Sequence, residues 1–192
     1  MAHHPDAGAT GDRILDVAER LAQSRGFNGF SYADVADELD LTKAALHYHF
    51  AGKAELGIAL ITRYAERFMA ALTTIDALHD PRAELDAYAQ VYLRVLDDQR
   101  MCLCGMLAAE YQTLPELMQD AVIAFFDDNE RWLAAVLDDG RAQKKLTFTG
   151  TSQATARTIV GALEGAMLVA RVHHDPDRFK ASADRLLNSL TT

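Results

Sequence analysis

The chain has 192 residues, of which 49% are hydrophobic, and a net charge of −9 at pH 7. This composition supports one full domain, or two smaller ones, around a sizeable core. No apolar run approaches the roughly 18 residues needed to cross a membrane, so we expect a soluble, cytoplasmic protein with no membrane partner.

The N-terminal segment 1–11 lacks the basic and apolar regions of a secretory signal. We interpret it as a disordered tail, in which an inert role for His3 and His4 is favoured over metal binding. A first helix is predicted over 12–25, because apolar residues recur there at helical spacing. Gly26 is expected to end that helix in the position after its last turn.

Two short helices follow, each with its own start signal. Ser31 is predicted to cap the second helix, with Asp34 three residues later in the position of a capping box. Residues 40–41 form the turn, and Thr42 caps the third helix. Two caps at this spacing are typical of a helix-turn-helix DNA reader.

The remainder of the chain also has a helical pattern. The further predicted helices cover 53–72, 81–100, 102–112, 116–139, 152–173 and 176–190. Their start signals are a proline after Asp80, a capping box over 113–116, Ser152 and a proline after Asp175. Gly140 is expected to end the helix over 116–139. The predicted fold is therefore all-α, with a three-helix reader over residues 1–52 and a larger helical domain over 53–192.

The segment Gly26–Leu56 resembles the TetR (tetracycline-repressor) family of transcriptional regulators. The residues that carry the resemblance are Gly26-Phe27, Ser31-Tyr32-Ala33-Asp34-Val35-Ala36, Leu41-Thr42-Lys43-Ala44-Ala45-Leu46-His47-Tyr48-His49-Phe50, Lys53 and Leu56. The chain departs from the family at Asp40, commonly glycine, at His47, commonly tyrosine, and at Gly52, commonly serine. Because of the departure at position 47, we assign the phosphate contact to Tyr48.

The resemblance implies that the third helix enters the major groove of a palindromic operator. A local cationic surface is consistent with this, because residues 41–53 contain two lysines, two histidines and no acid. His49 is left open between a DNA contact and a packed or backbone-bonded histidine. The expected DNA-binding residues are Ser31, Tyr32, Thr42, Lys43, Ala44, Tyr48, His49 and Lys53.

The resemblance also implies a homodimer, built on the last two helices, whose DNA binding is controlled by a small molecule. Gly161 and Gly165 would let a partner backbone come close, with Leu186 and Leu187 beside them; the alternative is tight packing inside one subunit. The predicted function is a repressor released by a small, largely apolar effector. The candidate pocket residues, most of which could equally be ordinary core, are Tyr64, Phe68, Tyr88, Tyr92, Cys102, Met106, Tyr111, Phe125, Trp132 and Met167.

The two cysteines leave three interpretations open. Cys102 and Cys104 are too few for a disulfide framework, which favours a reducing compartment. They are buried core thiols, a redox or electrophile sensor of the kind found in some family members, or, least favoured, metal ligands. No catalytic motif is present, so neither an enzyme nor a cofactor is expected. The remaining alternative is an all-helical interaction module without DNA binding.

Overall fold

The computed structural model describes residues 7–191, and its regular structure in that range is helical. The helices are α1 (Ala7–Arg25), α2 (Tyr32–Leu39), α3 (Lys43–His49), α4 (Lys53–Asp76), α5 (Pro81–Asp97), α6 (Leu103–Ala109), α7 (Glu116–Ala142), α8 (Ser152–Val172) and α9 (Pro176–Asn188), with a 3-10 turn over Tyr111–Thr113. One isolated bridge joins Leu146 and Thr191. The predicted all-α class is confirmed.

Local capping explains where several helices begin. Thr42 Oγ1 accepts a hydrogen bond from the N–H of Ala45 at 3.1 Å and so starts α3. Asp80 and Asp175 cap α5 and α9 in the same way, each followed by a proline in the first helical position. These side chains satisfy N–H groups that have no partner inside the helix.

The N-terminal boundary differs from the prediction. The α1 helix begins at Ala7, so residues 7–11 are helical rather than part of a tail. His3 and His4 lie outside the described residues.

The structure also corrects the predicted limits of the long helix α7. Gly140 does not end it, because α7 continues to Ala142. A Cβ on Gly140 would lie 2.3 Å from Cδ1 of Leu146, so this glycine allows close packing. At the other end, Thr113 lies in the 3-10 turn and donates to the carbonyl of Glu110 at 2.7 Å, so the capping box predicted over 113–116 is wrong.

The described chain forms two compact units, one over residues 1–64 and 103–122 and the other over 65–102 and 123–192, in the ranges that the structure describes. The α4 and α7 helices contribute residues to both. Compact packing does not define which residues bind DNA, so the functional division at residue 52 stays a prediction.

The first unit is built around apolar residues of α1 to α4. Ile14, Val35, Leu46 and Leu56 are fully buried, one from each helix. Gly57 permits a close approach in α4, because a Cβ there would lie 2.4 Å from Sδ of Met118 and 2.9 Å from Cζ of Phe27.

In the second unit, α8 and α9 pack along each other, and α5 packs against both. None of the helices in the described range is long and apolar enough to span a bilayer.

Candidate nucleic-acid interface

The start of α2 is held by a carboxylate from its own first turn. Asp34 Oδ2 accepts hydrogen bonds from the backbone N–H of Ser31 at 2.7 Å and from its hydroxyl at 2.6 Å. These two bonds hold the pKa of Asp34 below its usual range, and the bond from the hydroxyl has the larger effect. The predicted pairing of Ser31 with Asp34 is present, and it fixes the direction in which α2 leaves the preceding loop.

The turn between α2 and α3 depends on a left-handed residue. Asp40 has φ 54° and ψ 45°, and the N–H of Leu41 donates to the carbonyl of Ala36 at 2.9 Å. Asp is one of the few residues other than glycine that adopt this conformation readily. The departure from the common glycine therefore leaves the turn intact, and Thr42 then starts α3.

The α3 helix has one buried side and one open side. Leu46 is fully buried, whereas Lys43, Ala44 and Tyr48 are exposed, and Tyr48 reaches 81% exposure. His49 is half-buried, with its ring 5.3 Å from the ring of Tyr48 in an edge-to-face arrangement. The open side presents a cation, a methyl group and a phenol to solvent.

Two of the predicted contacts at the edge of this surface are engaged inside the protein. The hydroxyl of Tyr32 donates to the carbonyl of Phe50 at 3.0 Å, and its ring lies 4.8 Å from that of His47. Burial, followed by the nearby carboxylate of Glu55, raises the pKa of Tyr32 to about 12. Tyr32 therefore ties α2 to the end of α3, which is a correction to its expected role at a phosphate.

Lys53 likewise has a structural position. Its ammonium donates hydrogen bonds to the carbonyls of Phe27 and Phe30 and lies over both rings, 4.7 Å and 4.4 Å from their centroids. Burial lowers the pKa of Lys53. The sequence suggested a phosphate ligand at the start of α4, whereas the structure uses this cation to hold the loop between α1 and α2.

The same loop is held from the other side by Glu110, which the sequence analysis did not identify. Its carboxylate accepts from the N–H of Phe27 at 2.6 Å and from the N–H of Asn28 at 3.1 Å. The Asn28 side chain also donates to Oγ1 of Thr113 at 2.7 Å. No local sequence pattern predicts these hydrogen bonds, because the two residues in each bond lie more than 80 positions apart.

The ten candidate pocket residues do not lie in one unit. Tyr64, Met106 and Tyr111 belong to the first unit and the other seven to the second. Five of the second group and Asn129 form an aromatic cluster, in which ring contacts and hydrogen bonds link Phe68, Tyr88, Tyr92, Phe125, Asn129 and Trp132. Met167 is fully buried.

The aromatic cluster contains polar groups that are fully covered. The Tyr88 hydroxyl donates to Oδ1 of Asn129 at 2.8 Å and lies 3.0 Å from the Tyr92 hydroxyl. Burial raises the pKa of both phenols. The Asn129 amide completes the network by donating to Tyr92 at 3.1 Å. The sequence does not identify Asn129, because a single polar residue in a helix does not indicate which side chains it contacts.

Cys102 and Cys104 are free thiols and both are buried, at 1% and 0% exposure. A sensor thiol needs partial exposure, so their burial favours the interpretation as core residues. Cys102 is hydrogen-bonded to the carboxyl of Glu164 on α8, whose Oε1 is covered and has no hydrogen-bond partner. Burial raises the pKa of Glu164 to about 7, and the bond to Cys102 opposes this shift.

The predicted interface residues differ in their exposure. Gly161 and Gly165 are exposed, and a Cβ on either would meet nothing within 4 Å, so these glycines do not serve packing inside the subunit. Leu186 is half-buried. Leu187 is 1% exposed and belongs to the core, which corrects its assignment to an interface.

Family models match most of the described chain. Residues 14–60 match the model described as bacterial regulatory proteins of the tetR family, and residues 81–186 match the tetracyclin repressor-like C-terminal domain. The first match covers most of α1, all of α2 and α3 and the beginning of α4, and the second covers α5 to α8 and most of α9.

Individual proteins agree with these matches. The crystal structure of a TetR-family transcriptional regulator from Agrobacterium tumefaciens has a TM-score of 0.94 and 34% identity, covering 97% of this chain and 100% of its own. The HTH-type transcriptional repressor NemR of Escherichia coli K12 is 24% identical over 95% of this chain and 94% of its own length. LmrA of Bacillus subtilis, a transcriptional regulator, is 27% identical over 85% and 87%.

Proposed function

Because the chain belongs to the TetR family and is a transcriptional regulator, we propose that it is a repressor. In this proposal a cytoplasmic homodimer binds a palindromic operator and is released by a small, largely apolar effector. NemR, one of its relatives, is named a repressor. The two-fold symmetry of a dimer matches the symmetry of a palindrome.

The observation that carries this proposal is the open side of α3. Lys43 and Tyr48 are exposed, while Leu46 anchors the opposite side in the core. In the major groove the lysine would reach a guanine edge or a phosphate, and the small Ala44 would touch a thymine methyl group. The Tyr48 hydroxyl would donate to a phosphate oxygen.

Further contacts come from the beginnings of the two reader helices. Thr42 Oγ1 accepts from Ala45, which leaves its own hydroxyl proton free for a phosphate oxygen. Ser31 is exposed beside the start of α2 and remains a candidate. The proposed phosphate contacts leave out Tyr32 and Lys53, because the hydroxyl proton of Tyr32 and two of the three ammonium protons of Lys53 are donated to backbone carbonyls.

The exposed side of α8 supports a dimer. Leu168, Val169 and Val172 are 53%, 54% and 77% exposed, although they are large apolar residues on one helix. Gly161 and Gly165 extend this surface and would let a second α8 come close. Burial of the surface by a second copy would remove apolar area from water.

The aromatic cluster supports a small-molecule site in the second unit. If its side chains separate, the rings would provide an apolar lining and Tyr88, Tyr92 and Asn129 would provide hydrogen bonds, a combination typical of small-molecule sites. We propose that an effector separates these side chains and lowers operator affinity by about 1–3 kcal/mol of coupling. The α4 helix, continuous over Lys53–Asp76, is the proposed transmitting element.

The test begins with selection of bound genomic fragments by the purified protein, which supplies an operator. Lys43→Ala and Tyr48→Phe are then compared with the original protein by gel shift at one salt concentration. Each lost contact should cost about 1–3 kcal/mol if it reads a base, and less if it touches only phosphate. Lys180→Ala, at an exposed lysine of α9, is the matched control and should bind normally. Unchanged affinity in the Lys43 and Tyr48 double variant would remove α3 from the interface.

A further inference from the structure

The imidazole of His47 lies on the open side of α3. His47 follows Lys43 by four residues and Ala44 by three, and residues at these spacings are neighbours on one face of a helix. All three side chains are exposed, whereas Leu46 on the opposite side is fully buried. His47 therefore belongs to the same surface as the proposed DNA contacts.

One ring nitrogen of His47 has a fixed role. Its Nδ1–H donates to the carbonyl of Ala51 at 3.0 Å, because a carbonyl oxygen only accepts hydrogen bonds. The ring also packs against Tyr32 of α2, at 4.8 Å between centroids. In the neutral ring the other nitrogen, Nε2, therefore has a lone pair. It forms no hydrogen bond with any residue over 7–191.

The charge of this ring determines how Nε2 can interact with a DNA backbone. A phosphate oxygen is negatively charged and accepts hydrogen bonds, so it is repelled by the lone pair of the neutral ring. Protonation places an N–H on Nε2 and leaves the bond to Ala51 in place, and it adds a positive charge beside the phosphate. Histidine is the side chain that ordinarily changes charge between pH 5 and 8. A phosphate contact of this kind would therefore depend on pH.

Titratable or charged side chains beside His47 and its ring partner come from three helices. They are Lys43, Tyr48 and His49 of α3, Tyr32 of α2 and Glu55 of α4. Burial, followed by the carboxylate of Glu55, raises the pKa of Tyr32 to about 12, so this phenol stays neutral from pH 6 to pH 8. The other histidine, His49, is half-buried and faces α1, where a Cβ on Gly11 would lie 3.7 Å from its Nδ1.

We propose that the protonated imidazole of His47 is a phosphate contact of α3, so that operator binding takes up protons and strengthens as the pH falls from 8 to 6. This inference rests on the proposed function, because it needs the open side of α3 to face DNA. Residues at the start of a recognition helix meet base edges. His47 lies in the last turn of α3, where the backbone of the DNA is the expected neighbour.

The experiment measures the affinity of the full chain for a selected operator at pH 6 and pH 8, at several salt concentrations. An exposed ion pair changes affinity by about threefold, so a dimer with two such contacts should bind about tenfold more tightly at pH 6. Each phosphate contact also releases about one counterion. The slope of log affinity against log salt concentration should therefore steepen by about two at pH 6.

The variant His47→Gln separates this contact from other effects of pH. Its amide can donate an N–H but does not titrate, so the variant should lose most of the gain at pH 6 and the change in salt slope. His79→Asn is the matched control and should keep both effects. It removes an exposed histidine of the second unit, and asparagine readily adopts the left-handed backbone found there, with φ 50°. Circular dichroism checks that each variant is folded.

Three results would overturn the inference. Equal gains at pH 6 in the original protein and in His47→Gln would assign the proton to another group, such as His49. A gain at pH 6 without a steeper salt dependence would place the contact away from a phosphate. Failure of the original protein to bind any selected fragment at either pH would remove the proposed function, and this contact with it.

Discussion

The carboxylate of Glu110 accepts from the N–H groups of Phe27 and Asn28 in the loop before α2. Glu110→Ala would leave these donors without their partner, which costs about 1–3 kcal/mol when a donor is partly buried. We therefore expect a lower free energy of unfolding in urea and weaker operator binding. Asp120→Ala, at an exposed carboxylate of the same unit, should change neither. A Glu110→Ala protein as stable as that control would show that the loop keeps its conformation without Glu110.

Glu164 gives a prediction about pH. Its pKa is raised from 4.5 to about 7 in the folded protein, so the unfolded chain loses this proton at a lower pH than the folded chain. The contribution of protonated Glu164 to the free energy of unfolding is fully present below pH 4.5, and it is lost as the pH rises towards 7. Its full size is on the order of 3 kcal/mol.

The measurement is the free energy of unfolding in urea at pH 5 and pH 8 for the original protein and for Glu164→Gln. The glutamine variant cannot ionise at this position, so its stability should fall less between the two values. An identical fall in both proteins would mean that Glu164 does not titrate in this window.

These residues also show how much of the candidate site local sequence can predict. Ser31, Asp34 and Thr42 act on backbone groups within three residues, so their roles are visible in the pattern. The roles of Lys53 and Glu110 depend on which distant carbonyl or N–H group comes within reach. Residue type and spacing carry no information about such contacts, so the sequence predicts a phosphate ligand at Lys53 where the structure has two backbone carbonyls.

At the scale of helices, the starts marked by a cap and a following proline were predictable, whereas the start of α1 and the end of α7 were not. Caps act locally, and Pro81 and Pro176 follow their caps directly. Gly140 has the residue type of a helix end, yet the packing of Leu146 against it outweighs that local preference. Similarly, Leu187 lies on the face of α9 that packs into the core. The adjacent leucines at 186 and 187 do not indicate in the sequence which of the two is buried.

The exposed side of α8 carries the prediction about assembly. Leu168→Glu with Val172→Glu would place two charges in the proposed interface, so we expect a monomer with unchanged helical content. Sedimentation equilibrium measures the mass. Leu117→Glu, which charges a 67% exposed leucine on α7, is the control and should leave the assembly unchanged.

Gly161→Leu tests the same surface by steric means, because added bulk would force partner backbones apart. Inside the subunit there is room for the side chain, since a Cβ meets nothing within 4 Å. A protein that remains dimeric with both α8 changes would place the interface elsewhere.

At the scale of the whole molecule, the reader is not an independent segment. Its compact unit includes residues 103–122 as well as the N-terminal helices. A fragment of residues 7–64 lacks Glu110, Thr113 and Met118, all of which meet the loop or Gly57. We expect it to have reduced helical content and no cooperative thermal unfolding by circular dichroism. Cooperative unfolding with full helicity would show that the N-terminal helices are sufficient.

The dependence of the loop on Glu110 also has a consequence for synthesis of the chain. Glu110 is added 83 residues after Phe27, which takes roughly 4–17 s at the ~5–20 residues per second of translation. During that time the nascent reader exposes Phe27 and Met118 has not yet been made, so its final packing is delayed. We therefore expect the growing chain to expose apolar surface of the kind that chaperones bind until α6 and the start of α7 have left the ribosome. A chain released early by truncated messenger RNA would not occupy the operator.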